Sequence, residues 1–206
     1  MSNATLSRLE EKLAELEARL AAVERSESAR PLYDPGALRV GYGNDLHRLT
    51  EGPSLRLGGV TIPCGYSLLG YSDADALLHA ISDAVLGAAG LGDIGELFPD
   101  TESENQGRDS AGILSFCAEE AARAGWRVVN VDCVVCAQRP KLGPLKKTIR
   151  ARIASILDLP PDCVNVKAKT GEYVGPVGRM EAIEAHAVAL LAPISDQSSQ
   201  EGSDDV

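Results

Sequence analysis

Apolar residues near the start of the chain recur at the spacing of a coiled-coil seam. Leu6, Leu9, Leu13, Leu16, Leu20 and Val23 are spaced alternately three and four residues apart, with charged residues between them. The pattern covers fewer than three heptads. It therefore predicts either an amphipathic helix that packs on its own domain or a short, coiled-coil-like helix that self-associates. The segment from Ser26 to Pro35 is typical of a linker.

After the linker, short apolar runs alternate with segments of helical periodicity as far as Pro193. We predict strands at Leu38–Gly41, at Leu55–Ile62 with a break at Gly58–Gly59, at Val128–Ala137 and at Val164–Ala168. We predict helices at Asp75–Leu91, at Ser110–Ala124, at Lys141–Leu157 with a start near Pro144, and at Met180–Leu191, where the signals are mixed but favour helix. This alternation indicates an α+β fold with a mixed sheet flanked by helices on one face.

Composition divides the chain into three parts and limits its partners. Residues 1–37 are predicted to form a helical extension with a linker, residues 38–193 the folded domain, and residues 194–206 an acidic disordered tail. A net charge of −10 disfavours nucleic-acid binding. No run approaches the roughly 20 apolar residues that span a bilayer, and no secretory signal is evident, so no membrane partner is expected.

The five cysteines form no disulfide framework. Cys133 and Cys136 have the spacing of a redox or metal motif, but they lie in a β-branched run and are predicted to be ordinary strand cysteines. We therefore expect a reduced protein in the cytoplasm.

Three residues suggest a metal site. Asp45 and His47 are two residues apart at the end of an apolar run, so on a strand their side chains share one face. His79 lies in a predicted helix. A carboxylate and two imidazoles without cysteine are typical of a catalytic zinc site with an open fourth position. Taken singly, the three residues could instead be a turn cap, a strand-end histidine and a core histidine.

Three further segments have residues suited to phosphate chemistry. Ser72 or Asp73 could cap the helix that carries His79, and that helix N-terminus could bind an anion. Thr170 could donate a hydrogen bond to phosphate, and Glu172 beside it could hold Mg²⁺. The segment from Gln138 to Pro144 is predicted to be a rigid loop whose backbone could bind a flat heterocycle.

Six segments together resemble the 2-C-methyl-D-erythritol 2,4-cyclodiphosphate synthase family of the non-mevalonate isoprenoid pathway. They are RVGYGNDLHRL at 39–49, LRLGGVTIP at 55–63, the long run from Ser72 to Thr101, NVD at 130–132, AQRPKLGP at 137–144 and VNVKAKTGE at 164–172. The resemblance covers the folded domain and leaves the N-terminal helix and the tail outside it.

The resemblance implies a homotrimeric, metal-dependent phosphorus–oxygen lyase with active sites between subunits. Its implied zinc (or other divalent transition metal) ligands are Asp45, His47 and His79; Glu172 would hold Mg²⁺ or Mn²⁺; and Tyr71, Thr170 and Glu172 would act in catalysis. The residues implied to bind the nucleotide diphosphate substrate are Ser72, Asp75, Asp93, Ile94, Gly95, Phe98, Pro99, Asp100, Ala137, Gln138, Arg139, Pro140, Lys141, Leu142, Gly143, Lys169 and Thr170. Arg179 matches an arginine on the trimer axis.

The implied reaction converts 4-diphosphocytidyl-2-C-methyl-D-erythritol 2-phosphate to 2-C-methyl-D-erythritol 2,4-cyclodiphosphate and releases CMP. Tyr71 and Tyr42 stand where the family usually has histidine. Two alternatives therefore remain: a diverged enzyme that cyclises another nucleotide-activated phosphate, and a non-catalytic trimer that kept the metal site.

Overall fold

The computed structural model describes residues 38–194 together with Lys12, Leu13, Leu16 and Arg19. The chain divides into two units, Met1–Ala37 and Leu38–Val206. In the first unit the four described residues are helical. The rest of the predicted heptad pattern, and the tail beyond Ile194, lie outside the described residues.

The second unit is built on a five-stranded mixed sheet. Its strands are β1 (Arg39–Glu51), β4 (Tyr66–Leu69), β5 (Trp126–Cys136), β6 (Val164–Lys169) and β7 (Ala182–Pro193). They lie in the order β4-β1-β7-β5-β6, and only the pair β5–β6 is parallel. The short strands β2 (Ser54–Leu57) and β3 (Val60–Pro63) form a separate antiparallel hairpin. The predicted α+β fold with a mixed sheet flanked by helices is confirmed.

Five α-helices accompany the sheet in the described part of this unit, residues 38–194. They are α1 (Ala76–Ala89), α2 (Ile94–Leu97), α3 (Ser110–Arg123), α4 (Lys146–Ile156) and α5 (Gly175–Gly178), with short 3₁₀ turns at Ser103–Asn105, Gly143–Leu145 and Pro161–Cys163. Among the described residues no helix has the length and apolar character that a membrane span requires.

Helix α1 forms the centre of the core. Twelve of its 14 residues are buried, and it ends at Gly90, whose φ of 76° suits a glycine at that position. Its N-cap is Asp75, whose side chain accepts a hydrogen bond from the backbone N–H of Leu78. The expectation that Ser72 or Asp73 caps this helix is therefore wrong, because the chain enters the helix three residues after Ser72.

The segment predicted to favour helix at Met180–Leu191 is largely strand β7, so that prediction is wrong. Its register with β1 runs from Arg39 opposite Leu191 to Arg48 opposite Ala182, and it also pairs along most of β5. Two hydrogen-bonded neighbours outweigh the helix propensity of an alanine-rich sequence.

Strand β1 is longer than the predicted Leu38–Gly41, because its pairing with β7 and then β4 continues through the polar residues after Gly43. Asp45 and His47 consequently lie inside the strand rather than after it. The opposite face of the sheet exposes several apolar side chains, which are Val40, Tyr42, Leu46 and Val188.

A candidate metal centre beside a cavity

Two glycines of β1 allow α1 to lie directly on the strand that carries Asp45 and His47. A Cβ atom on Gly41 would be 1.9 Å from the backbone oxygen of Ala84, and one on Gly43 would be 2.2 Å from that of Ala80. No side chain fits at either position. This close approach brings His79, in the first turns of α1, against the two strand residues.

The three predicted metal ligands come together as the sequence pattern indicates. The Oδ2 atom of Asp45 lies 2.9 Å from Nε2 of His47 and 2.8 Å from Nδ1 of His79, and the two ring nitrogens are 3.1 Å apart. Zinc bonds of 2.0–2.1 Å in a tetrahedron would separate such donors by about 3.3 Å. A small outward shift of each side chain would therefore seat the ion.

Hydrogen bonds fix which ring nitrogen of each histidine carries the proton. Nδ1 of His47 lies 2.9 Å from the carbonyl oxygen of Leu69, which can only accept, so His47 donates there and Nε2 keeps its lone pair. Nε2 of His79 lies 2.8 Å from Oγ of Ser110 and 3.0 Å from Oγ of Ser72. Ser110 gives its own proton to a carboxylate, so it accepts from His79 Nε2–H.

A carboxylate oxygen of Asp45 and the unprotonated ring nitrogens of His47 and His79 thus face one another, so that three lone pairs converge on one position. Only a cation or a proton makes this arrangement favourable. When a proton instead of a metal joins these groups, the rings can donate to Asp45: burial would raise the pKa of Asp45, but hydrogen bonds from His47 and His79 hold it well below its usual range. Burial likewise lowers the pKa of His47, while Asp45 and the carbonyl of Leu69 raise it, and the net change is upward.

A chain of polar contacts continues outward from His79. Ser110 donates to Oδ1 of Asp73 in a short contact, and Oδ2 of Asp73 lies 3.1 Å from Nε of Arg56. Arg56 also pairs with Asp109 at 2.8 Å. Such outer contacts orient a metal ligand and fix its tautomer. Sequence reasoning missed Ser110, because Asp109–Ser110 looks like an ordinary helix start.

A cavity of about 360 Å³ opens beside the candidate metal ligands. Its lining contains His47 and His79 together with most of the residues that the resemblance implied for the sugar phosphate, which are Tyr71, Ser72, Ile94, Gly95, Phe98, Pro99 and Asp100. Three further lining residues were not predicted, which are Asn105, Arg108 and Ile113.

Asp75 and Asp93, which the resemblance implied to bind substrate, do not line this cavity. Asp75 is fully buried, and its carboxylate accepts backbone N–H groups of Gly58 at 2.8 Å, Gly59 at 2.6 Å and Leu78 at 3.1 Å. Direct contact of Asp75 with substrate is therefore a wrong prediction, because the residue instead ties the β2–β3 turn to α1. Asp93 caps α2 through the N–H of Glu96 and does not line the cavity.

Tyr71 lines the cavity, but its hydroxyl is engaged. The Oη atom donates to the carbonyl oxygen of Glu102 at 3.0 Å, and the carbonyl oxygen of Tyr71 accepts from the N–H of Gly107 at 2.8 Å. A phenol has one proton to donate. In this structure Tyr71 therefore holds the 102–107 loop, and its hydroxyl proton is already engaged rather than free for the catalytic role that the resemblance implied.

A second cavity of about 190 Å³ lies at the end of β5 and β6. Seven of its nine lining residues were predicted, and the full set is Ala137, Pro140, Lys141, Leu142, Gly143, Lys146, Ala168, Lys169 and Thr170. Lys146 is the cation that sequence reasoning missed. Gln138 and Arg139 belong to the same loop without lining this cavity, and the buried Oε1 atom of Gln138 has no hydrogen-bond partner among the described residues.

The last two predicted residues lie outside both cavities. Glu172 is exposed, and its carboxylate accepts a short hydrogen bond from the Thr170 hydroxyl. Arg179 is exposed and pairs with Glu181 at 2.8 and 3.0 Å.

These features define an α+β protein with a two-histidine, one-carboxylate candidate metal site beside a cavity. A profile of the YgbB family matches residues 38–192, and the chain belongs to that family. The resemblance noted in the sequence is thereby confirmed.

Three known proteins illustrate the similarity. The 2-C-methyl-D-erythritol 2,4-cyclodiphosphate synthase of Chromobacterium violaceum is 58% identical over 154 residues, which are 75% of this chain and 98% of that protein. The structure of the bifunctional IspDF from Campylobacter jejuni matches with a TM-score of 0.74 and 39% identity, over 76% of this chain and 42% of that one. A CDP complex of IspF from Plasmodium falciparum matches with a TM-score of 0.69 and 34% identity, over 79% of this chain and all of that one.

Proposed function

We propose that this protein converts 4-diphosphocytidyl-2-C-methyl-D-erythritol 2-phosphate to 2-C-methyl-D-erythritol 2,4-cyclodiphosphate and CMP, as a metal-dependent phosphorus–oxygen lyase. The observation that carries the proposal is the convergence of three lone pairs from Asp45, His47 and His79 beside a cavity of suitable size. The family membership and the name of its 58% identical relative support the same reaction.

Asp45, His47 and His79 would hold Zn²⁺ or another divalent transition metal. The donor set, the buried position of His79 and the outward hydrogen bonds of both rings fit such an ion. When bound, the metal supplies Lewis-acid polarisation and charge neutralisation at a phosphate.

The chain's own residues would bind and align the two ends of the substrate. Ser72 and the Ile94–Gly95 turn would hold the methylerythritol phosphate in the larger cavity. Lys141, Lys146 and Lys169 would hold the cytidine diphosphate at the smaller one, where their charges oppose those of a diphosphate.

Alignment is the main catalytic task in this reaction. An oxygen of the 2-phosphate forms a bond to the β-phosphorus, and the bond from that phosphorus to the oxygen bridging to CMP breaks, so that CMP leaves with the electron pair. Thr170 would donate to the diphosphate. Glu172, which accepts from Thr170, would hold Mg²⁺ or Mn²⁺ there, since carboxylate and phosphate oxygens suit a hard cation.

We infer that the complete site forms between chains of a homotrimer. Within one chain the two cavities share no lining residue, and strands β7 and β5 separate β1 from β6. A substrate with a nucleotide at one end and a phosphorylated sugar at the other needs both kinds of cavity. The exposed apolar face of the sheet at Val40, Tyr42, Leu46 and Val188 offers a surface for association. A cytoplasmic location stays a prediction. It is supported by the five cysteines, all of which are free thiols.

A CMP-release assay with the expected substrate, together with mass spectrometry of the product, tests the reaction. Wild type should release one CMP per cyclic diphosphate formed. Asp45→Ala should lose the bound zinc, measured by elemental analysis, and the activity with it. Arg123→Ala is a matched control for handling and folding, since Arg123 pairs with Glu119 and Glu120 away from both cavities.

Two results would contradict the proposal. Wild type that is fully active without metal would exclude the metal site from the reaction. Zinc-loaded wild type that releases no CMP would favour one of the alternatives, a different nucleotide-activated phosphate or a non-catalytic trimer.

A further inference from the structure

We propose that Arg108 binds the substrate's phosphate in the larger cavity, as the fixed positive charge that complements the metal. This deepens the proposed function, because the identity of that phosphate as the 2-phosphate of the sugar rests on it. Neither the sequence pattern nor the resemblance assigned any role to Arg108.

The first observation is the charge of the lining. Among the described residues that line the larger cavity, Arg108 is the single side chain with a permanent positive charge. Asp100 lies in the same lining and is acidic. A phosphate dianion that entered beside Asp100 would need positive charge from the protein as well as from a metal, because the whole chain is strongly acidic.

The second observation is that Arg108 has no competing carboxylate. Within the part of the chain that the structure describes, no acidic oxygen lies within 4.0 Å of its guanidinium nitrogens. The guanidinium instead lies over the ring of Phe98, with Cζ 5.0 Å from the ring centroid, and Phe98 lines the same cavity. Stacking on an aromatic face leaves the N–H groups of the planar fork free to bind an oxyanion.

The third observation is that the backbone of Arg108 is anchored to the metal site. Its carbonyl oxygen accepts from the N–H of Asp73 at 3.1 Å, and the preceding residue, Gly107, donates to the carbonyl oxygen of Tyr71. Asp73 contacts Ser110, which in turn contacts His79. The position of the arginine and the position of a metal ligand are thus set by the same short segment.

Tyr71 gives the fourth observation. Because its hydroxyl proton goes to the carbonyl of Glu102, the tyrosine supplies no donor to the cavity. The side-chain donors left in the lining are then Ser72, the second amide N–H of Asn105, and Arg108. Of these, the guanidinium alone is charged, and it can donate two parallel hydrogen bonds to one phosphate. Tyr71 therefore holds the 102–107 loop, and Arg108 binds the anion.

The test compares Arg108→Gln, Arg108→Lys and the control Arg123→Ala in the zinc-loaded protein. Arg123 is also an exposed arginine near a phenylalanine ring, with Cζ 5.9 Å from the centroid of Phe116, but it does not line the cavity. Glutamine removes the charge while it keeps a polar side chain, and lysine keeps the charge without the planar fork. Circular dichroism would confirm that each variant is folded.

Two measurements are made on each variant: kcat/KM for CMP release, and the affinity for inorganic phosphate by calorimetry. Arg108→Gln should lower both about 10- to 100-fold, the range of a charge-assisted hydrogen bond. Arg108→Lys should recover part of the loss, and Arg123→Ala should match wild type. CDP affinity should be unchanged in all three, because the lysine-lined cavity is intact.

The phosphate measurement separates this inference from the proposed function. If wild type releases no CMP but binds phosphate at least tenfold more tightly than Arg108→Gln does, the reaction is wrong and the phosphate site stands. If Arg108→Gln binds phosphate within twofold of wild type, the inference is overturned, whether or not CMP is released.

Discussion

The two serines that contact His79 should control metal affinity, and the structure indicates how much each contributes. Ser110 lies 2.8 Å and Ser72 3.0 Å from Nε2 of His79. A metal on Nδ1 forces the remaining proton onto Nε2, where it needs an acceptor because His79 is only 6% exposed. Without metal the proton can move to Nδ1 and bond with Asp45 at 2.8 Å. Loss of the serines therefore penalises the metal-bound state, in which the N–H is fixed at Nε2, more than the metal-free state.

Each single variant leaves one acceptor, so Ser110→Ala or Ser72→Ala should weaken zinc binding only a few-fold. The double variant leaves a buried N–H without a partner, which costs about 1–3 kcal/mol, or roughly 5- to 150-fold in affinity. The double variant should thus lose more than the two single losses combined.

Competition with a chromophoric chelator measures the zinc affinity of the four proteins of this cycle. Ser82→Ala is the matched control, because Ser82 is a fully buried serine of the same helix whose hydroxyl donates to the carbonyl of Leu78. A double variant that binds zinc within twofold of wild type would refute the tautomer argument. Additive small losses would show that the serines do not substitute for each other.

Three shorter predictions concern assembly, packing and thiol chemistry. Deletion of Met1–Ser28 should leave a trimer in light scattering, because we expect the sheet face to drive association; a monomer would assign assembly to the N-terminal helix. Gly41→Ala should lower the free energy of unfolding in urea by about 1–3 kcal/mol or more, since its Cβ would be 1.9 Å from a backbone oxygen, whereas Gly112→Ala, with nothing within 4 Å, should not destabilise. Burial raises the pKa of Cys117 and of Cys133 to about 12. Both thiols should therefore stay neutral and resist alkylation at pH 8 until the protein unfolds, and prompt reaction of all five cysteines would contradict this.

Local patterns were enough to predict the three residues of the candidate metal site, because most of their geometry is local. Asp45 and His47 share a face through the period of two in a strand. The position of His79 in a helix followed from apolar spacing. The contact between strand β1 and helix α1 could not be predicted in this way, because it depends on the tertiary fold.

Strand β7 could not be predicted in the same way, because its composition serves packing rather than local conformation. Ala185, Ala187 and Ala189 are buried at 0–1% exposure on the face that α1 covers. Small side chains are needed where a helix lies this close to the sheet, and alanine also favours helices. The local preference and the tertiary requirement disagree, and the tertiary contacts determine the structure.

Ser110 and Arg108 escaped prediction for a different reason. They lie about 30 residues from His79 in a segment with ordinary loop and cap chemistry. Their importance comes from contacts of that segment with Tyr71 and Asp73, and no spacing rule connects the two. Outer contacts of a metal ligand are generally of this kind, since any hydroxyl or carboxylate in reach can serve.

The distribution of charge connects both cavities to one kind of ligand. A chain with a net charge of −10 repels anions on average, so an anionic substrate can bind only where cations are concentrated. The smaller cavity gathers Lys141, Lys146 and Lys169, and the larger one has Arg108 beside the candidate metal site. Two positive cavities in an acidic protein suit a molecule with phosphate groups at two separated positions. The proposed substrate, a nucleotide-activated sugar phosphate, has phosphate groups at two such positions.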